Sequence, residues 1–216
     1  DTDRSRGLGD VYKRQDLNKD NRDPQYVESI VKRSQKIVDK LGLTDVKVAE
    51  DVRNVIANRY FELNDIYEVR DAKVKKIKES GLSGAAKDDA LKAVEYEKDA
   101  ALYRSHFAYP ANLSLFLDEK QIEVVKDGMT YGVVKVTYDA TIDMIPSLKE
   151  EEKAQIYAWL IEAREFALDA ENSDKKHAAF GKYKGRINNY LAKRGYDLTK
   201  EREEWYKRVK ARGGSL

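Results

Sequence analysis

Gln121–Tyr138, QIEVVKDGMTYGVVKVTY, admits two folds, and the choice decides whether the chain is all-helical. Asp118 followed three residues later by Gln121 is a capping box, which starts a short helix running to Lys126 and closed by Gly128. Against it, Val124-Val125 and Val133-Val134 flank Asp127-Gly128, a hairpin signal, so residues 121–138 can also be drawn as a two-stranded ribbon. The helical reading is preferred here. The expectation for the whole chain is therefore a mainly α, single-domain bundle of about six helices, with a small β-hairpin around 121–138 as the rival for that stretch.

Outward from this stretch the pattern is helical. On the N-terminal side, Asp23-Pro24 is an N-cap followed by a first-turn proline, and Val27, Ile30, Val31, Ile37, Val38 and Leu41 form one apolar stripe ended by Gly42. Thr44 is placed to cap a longer helix whose apolar positions run from Val48 to Ile77 at spacings of three and four, closed by Gly81 and Gly84. The two segments predict an antiparallel hairpin, because so short a connection leaves no other easy packing. A third helix, about Ala85 to Phe107, turns Leu91, Val94, Ala101 and Leu102 inward and ends near Pro110, which disfavours helix at Tyr109.

On the C-terminal side, Ser147 with Glu150 reads as a second capping box. It begins a helix to about Ala170 whose buried face is Ile156, Trp159, Leu160, Ala163 and Ala167. Ser173 is expected to cap the next helix, about Asp174 to Arg194, with Phe180, Tyr183, Ile187, Tyr190 and Leu191 as its core stripe. A last helix runs from about Thr199 to Arg212 with Trp205 and Val209 facing in.

Composition bounds what such a chain can do. It is 37% charged, against about 25% for an average soluble domain, with a mean hydropathy of -0.75. Forty-one Lys and Arg nearly balance 39 Asp and Glu, so net charge points to no nucleic-acid partner. The charge is segregated, however. Residues 139–174 hold ten acidic and three basic side chains, and residues 182–212 hold four acidic and eleven basic, so the two stretches are expected to pair within the fold. Cysteine is absent, which excludes disulfides, thiolate metal sites and cysteine nucleophiles. No apolar run approaches the roughly 20 residues of a membrane span. No cofactor and no metal site is indicated, since neither histidine has a second histidine at helical spacing.

Asp1–Gln15 stands apart. The codons that GDVYKRQ can take resemble a transposase mosaic end used to attach sequencing adaptors, so residues 1–15 are expected to be a non-native leader and residues 16–216 the domain.

The most informative segment is His177–Asp197, HAAFGKYKGRINNYLAKRGYD, where Gly181 and Gly185 interrupt a strongly patterned helix at a cost of roughly 1 kcal/mol each relative to Ala. Two polar rows flank its core stripe, one of His177, Lys184 and Asn188, the other of Lys182, Arg186 and Asn189. Glycines beside such rows allow another helix or a ligand to approach closely. Glu162, Glu165 and Asp169 share a face of the preceding helix, where like charges repel and a cation is expected nearby.

AREFALDA, FGKYKGRINNYL, GYDL, VKDGMTYG and MIPSL together resemble the helical family called domain of unknown function 3826, over nearly all of residues 16–212. The resemblance implies a protein of carbohydrate-degrading Gram-negative bacteria, periplasmic or secreted behind a signal peptide, and associated with sugar binding. It carries over Arg164, Glu165 and Asp169 on the acidic helix, and Lys182, Tyr183, Lys184, Arg186, Asn188, Asn189 and Tyr190 in the FGKYKGRINNYL string. Ala179 stands where family members carry an aromatic, which weakens sugar stacking at that position. With Trp159 added as a ring suited to a sugar and His177 from the polar row of Lys184 and Asn188, the ligand-binding candidates are Trp159, Arg164, Glu165, Asp169, His177, Lys182, Lys184, Arg186, Asn188 and Asn189. The expected function is a carbohydrate-associated binding or accessory protein, with a carbohydrate ligand as its partner. One alternative is a periplasmic helical interaction protein with a protein partner, since Leu117–Gln121 resembles a motif of small periplasmic chaperones. The other is a glycan-active enzyme using two of Glu162, Glu165 and Asp169.

Overall fold

The computed structural model describes residues 15–214, all of whose regular structure is helical. Asp1–Gln15, expected to be a leader, lies outside the described residues except for Gln15. Among the described residues nine helices follow in order: α1 (Pro24–Val38), α2 (Val46–Glu79), α3 (Gly84–His106), α4 (Ala108–Leu113), α5 (Glu119–Met129), α6 (Val133–Met144), α7 (Glu150–Leu168), α8 (Ser173–Lys193) and α9 (Leu198–Ala211). The chain divides after Val125 into two compact units.

The ribbon reading of 121–138 is overturned, as is the count of about six helices. The capping box at Asp118 forms as read: the Gln121 amide donates to Asp118 Oδ1 at 2.8 Å and Gln121 Oε1 accepts from the Asp118 amide at 3.0 Å. Asp127-Gly128 lies inside the helix so started. The chain turns instead at Tyr131 and Gly132, both left-handed (φ 61° and 66°), and the Gly132 amide closes α5 by donating to Asp127 O at 2.9 Å. A left-handed tyrosine is sterically costly, which is why the sequence did not announce this turn.

In the first unit, the Asp23 side chain accepts from the Tyr26 amide and Pro24 opens α1. α2 is capped by Asp45 instead of Thr44, its carboxylate accepting from the Lys47 and Val48 amides at the positive end of the helix dipole. Ile30, Ala57 and Phe61 make a core on which Leu17, Tyr26, Val27 and Tyr60 pack. Residues 15–18 are strapped along α2 by backbone groups. Asp51 accepts from the Gln15 amide, Asn54 donates to the Gln15 carbonyl, and Asn58 both donates to the Asp16 carbonyl and accepts from the Asn18 amide. Pro110 does not exclude helix at Tyr109: it sits in the first turn of α4, where an amide hydrogen has no intrahelical partner to lose.

The second unit is built on the α7/α8 hairpin, whose core holds Ile156, Leu160, Ala163 and Ala167 from α7 against Phe180, Tyr183, Ile187 and Leu191 from α8. The capping box of α7 forms two residues later than read, with Glu152 reaching back to the Lys149 amide at 2.9 Å. The shift has a cause. Glu152 is buried and also accepts from Arg194 Nε and the Tyr196 hydroxyl, each at 2.6 Å. Burial alone would raise its carboxyl, but these hydrogen bonds outweigh that and hold it at about 2, while the Tyr196 hydroxyl is pushed up to about 12, first by its bond to Glu152. Asn172, not Ser173, caps α8 by accepting from the Lys175 amide, and Asp197 caps α9. The segregated charges pair inside this unit, Arg194 with Glu151 and Glu152, Arg186 with Glu162, and Arg212 with Asp143.

Candidate functional site

Along one seam of the α7/α8 hairpin, aromatic rings and guanidinium groups alternate. Phe166, 63% exposed, faces Tyr183 with ring centroids 6.4 Å apart. Arg186 lies over Tyr183 at 4.6 Å and over Trp159 at 5.9 Å, Trp159 meets Tyr190 edge-on at 5.1 Å, and Arg194 lies over Tyr190 at 5.3 Å. The order follows from the helix: positions 183, 186 and 190 of α8 and its C-cap Arg194 share a face, and they meet positions 159, 162 and 166 of α7 running the other way. Trp159, expected in the buried face of α7, does pack against that core, but at its margin and only partly buried.

Trp159, Lys182, Gly185, Arg186, Asn189, Tyr190 and Lys193 line a groove of about 630 Å³ on this seam. Arg186 is steadied by Glu162 at 3.5 Å, both side chains about half exposed. Burial raises the Tyr183 hydroxyl, with its hydrogen bond to Glu162 acting in the same direction. Lys182 and Asn189 make no side-chain hydrogen bond or ion pair among the described residues. Neither Gly181 nor Gly185 marks a close helix contact, since a Cβ built on either meets nothing within 4 Å. The cost of both glycines is therefore not recovered by packing within the chain.

The remaining candidates fall elsewhere. Arg164, almost wholly buried, donates to Asp127 Oδ1 at 2.7 Å, and Glu165 accepts from Lys126 at 2.9 Å, so this part of α7 clasps the end of α5. Lys126 is thus one cation that the acidic face of α7 required, supplied by α5 instead of α8. Buried Lys176 donates to the last carbonyls of α7, Ala167 O at 3.1 Å and Leu168 O at 3.4 Å, the favourable place for a cation. Asp169 is the C-cap residue of α7. His177 stacks on Tyr131 with centroids 5.4 Å apart. Lys184 and Asn188 stand exposed on the flank away from the groove. The division of α8 into two polar rows thus holds, and only the row of Lys182, Arg186 and Asn189 meets Trp159.

Phe166 was missed as a surface group, and Tyr190, packed on the core as its stripe position predicts, also reaches the groove. Tyr190 lies on the core stripe by periodicity, and nothing in the sequence separates a stripe's edge from its centre. Glu162 and Glu165 are held in different ion pairs and do not face one another across a cleft. Among the described residues no His, Asp and Glu cluster could hold a metal ion, and no helix is long and apolar enough to cross a membrane.

The family model described as Protein of unknown function (DUF3826) matches residues 27–211, so the chain belongs to that family. No curated protein matches it.

Proposed function

We propose that this member of the family is an extracytoplasmic carbohydrate-binding protein, accessory to polysaccharide use, which holds an extended glycan along the α7/α8 seam. The observation that carries the reading is the groove in which the Trp159 ring lies beside the planar Arg186 and Asn189 groups over an open Gly185. A sugar presents C–H faces that pack on aromatic rings and adjacent hydroxyls that pair with amide and guanidinium groups. At 1.5 Å per residue the α8 side of the groove, from Lys182 to Lys193, spans about 16 Å, a length suited to a chain of sugars more than to one. Export and the link to polysaccharide use come from the family resemblance.

A protein-interaction role is the second reading, supported by exposed Tyr96 and Tyr103 on α3 and Phe107 just past its end. Calorimetry against a panel of plant and host oligosaccharides, with Arg186→Ala and Asn189→Ala beside the parent, decides between them. Saturable binding weakened several-fold in both variants is expected. Absence of binding to every glycan, with the variants folded, would move the assignment to the protein partner.

A further inference from the structure

The first unit holds an open cavity of about 730 Å³ between α2 and the α3–α4 segment, within the size range of small-molecule sites. Its charged lining is unequal, with Arg22, Arg59 and Arg104 against Glu62 and Asp65. Arg22 binds Asp65 through two parallel hydrogen bonds of 2.7 Å. Arg59 is buried; it donates to Glu62 Oε2 at 2.7 Å and to Ser105 Oγ at 2.8 Å, and lies over the Tyr109 ring. Both carboxylates are thereby engaged.

Arg104 is the cation left over. Its exposed guanidinium makes no ion pair or hydrogen bond among the described residues. The contrast with its surroundings is sharp. Along the adjoining stretch of the α2/α3 cleft, which Arg104 also lines, Arg70 pairs with Asp71, Lys73 with Glu97, and Lys98 with Glu95 and Asp99. Asn18 and Asn112 line the same cavity as Arg104, and their side-chain amides likewise make no hydrogen bond among the described residues. Each amide offers donors and an acceptor, the complement of a hydroxyl. A guanidinium fork fits an oxyanion bidentately.

We propose that this cavity binds a small oxyanion carrying hydroxyl groups, and that a sugar acid is the class it takes, with Arg104 holding the carboxylate and Asn18 and Asn112 the hydroxyls. The site stands on the first unit and owes nothing to the seam. Calorimetry with D-galacturonate, D-galactose, sulfate and phosphate on the full chain tests it, comparing the parent with Arg104→Gln, Asn112→Ala and the seam variant Arg186→Ala. The expected result is saturable galacturonate binding, at least about tenfold weaker in Arg104→Gln and weakened in Asn112→Ala, unchanged in Arg186→Ala, with galactose binding much less tightly. Galacturonate binding that Arg104→Gln leaves intact, or its absence from the parent, overturns the site. Sulfate or phosphate binding as tightly as galacturonate overturns the sugar-acid class, because hydroxyl recognition would then contribute nothing. Loss in Arg186→Ala with retention in Arg104→Gln assigns the ligand to the seam and refutes the proposal while sparing the seam.

Discussion

Replacing Gly185 by alanine should stabilise the protein and weaken its ligand binding together. Gly185 lies in the interior of α8 with helical backbone, is exposed, and an added Cβ meets nothing within 4 Å. The native state therefore gains no clash, and the helix gains the full difference between glycine and alanine, about 1 kcal/mol. For a chain of this size that raises the melting temperature by about 2–4 °C. Gly181 is equally open but does not line the groove, so Gly181→Ala should give the same gain and the double variant about twice it. Urea denaturation followed by circular dichroism reads the stabilities, with a higher midpoint and an unchanged slope expected. Oligosaccharide titration then separates the two, since a methyl group at 185 stands in the groove and one at 181 does not. A destabilised Gly185→Ala would refute the openness of the site. Equal glycan affinity in both variants would refute the idea that Gly185 leaves room for a ligand.

Glu152 and Tyr196 should set the pH limits of the second unit. A carboxyl lowered from 4.5 to about 2 contributes stability that is present above pH 4.5 and lost as pH falls towards 2, at most about 3 kcal/mol. The Tyr196 hydroxyl, raised from 10.0 to about 12, contributes below pH 10 and ceases to as pH rises through 12. Glu152→Gln should flatten the acid limb in a pH series of urea melts, and an unaltered limb would contradict the assignment. In the clasp, Asp127→Ala takes the 2.7 Å partner from the buried Arg164 cation but leaves it Glu165 at 3.8 Å, and should cost about 2 kcal/mol, whereas Arg164→Met leaves a partly exposed carboxylate that water can reach and should cost about 1 kcal/mol. Equal losses in the two melts would count against that asymmetry.

Much of the fold was written in local signals. Asp23-Pro24, the Asp118–Gln121 capping box and the stripes of α7 and α8 gave helix positions within a few residues, because caps and periodicity act over one or two turns. What was missed depends on partners distant in sequence. The start of α7 moved because Arg194 and Tyr196, more than 40 residues away, hold Glu152. The turn at Tyr131 breaks the preference for glycine in left-handed backbone, and the valines around it, strand formers by propensity, are helical in their tertiary setting. The candidate site was legible in part. Helical geometry alone separated Lys182, Arg186 and Asn189 from His177, Lys184 and Asn188, but no local pattern places Trp159 at the margin of its stripe or brings Lys126 to Glu165. The cavity around Arg104 was invisible to sequence, since its walls come from segments as far apart as Gln15 and Asn112 and its sign is a difference between paired and unpaired charges.

The most direct test of the seam follows the emission of Trp159 alone. The chain has two tryptophans, and Trp205 is half-buried with its indole donating to Asp143 at 2.6 Å, so Trp205→Phe removes the second fluorophore for the loss of one hydrogen bond. Titrated with the oligosaccharide that calorimetry identifies, this variant should show a saturable change in Trp159 emission at the same affinity, stronger for longer chains. Emission that stays constant through saturation of the calorimetric signal would contradict a glycan site on the α7/α8 seam.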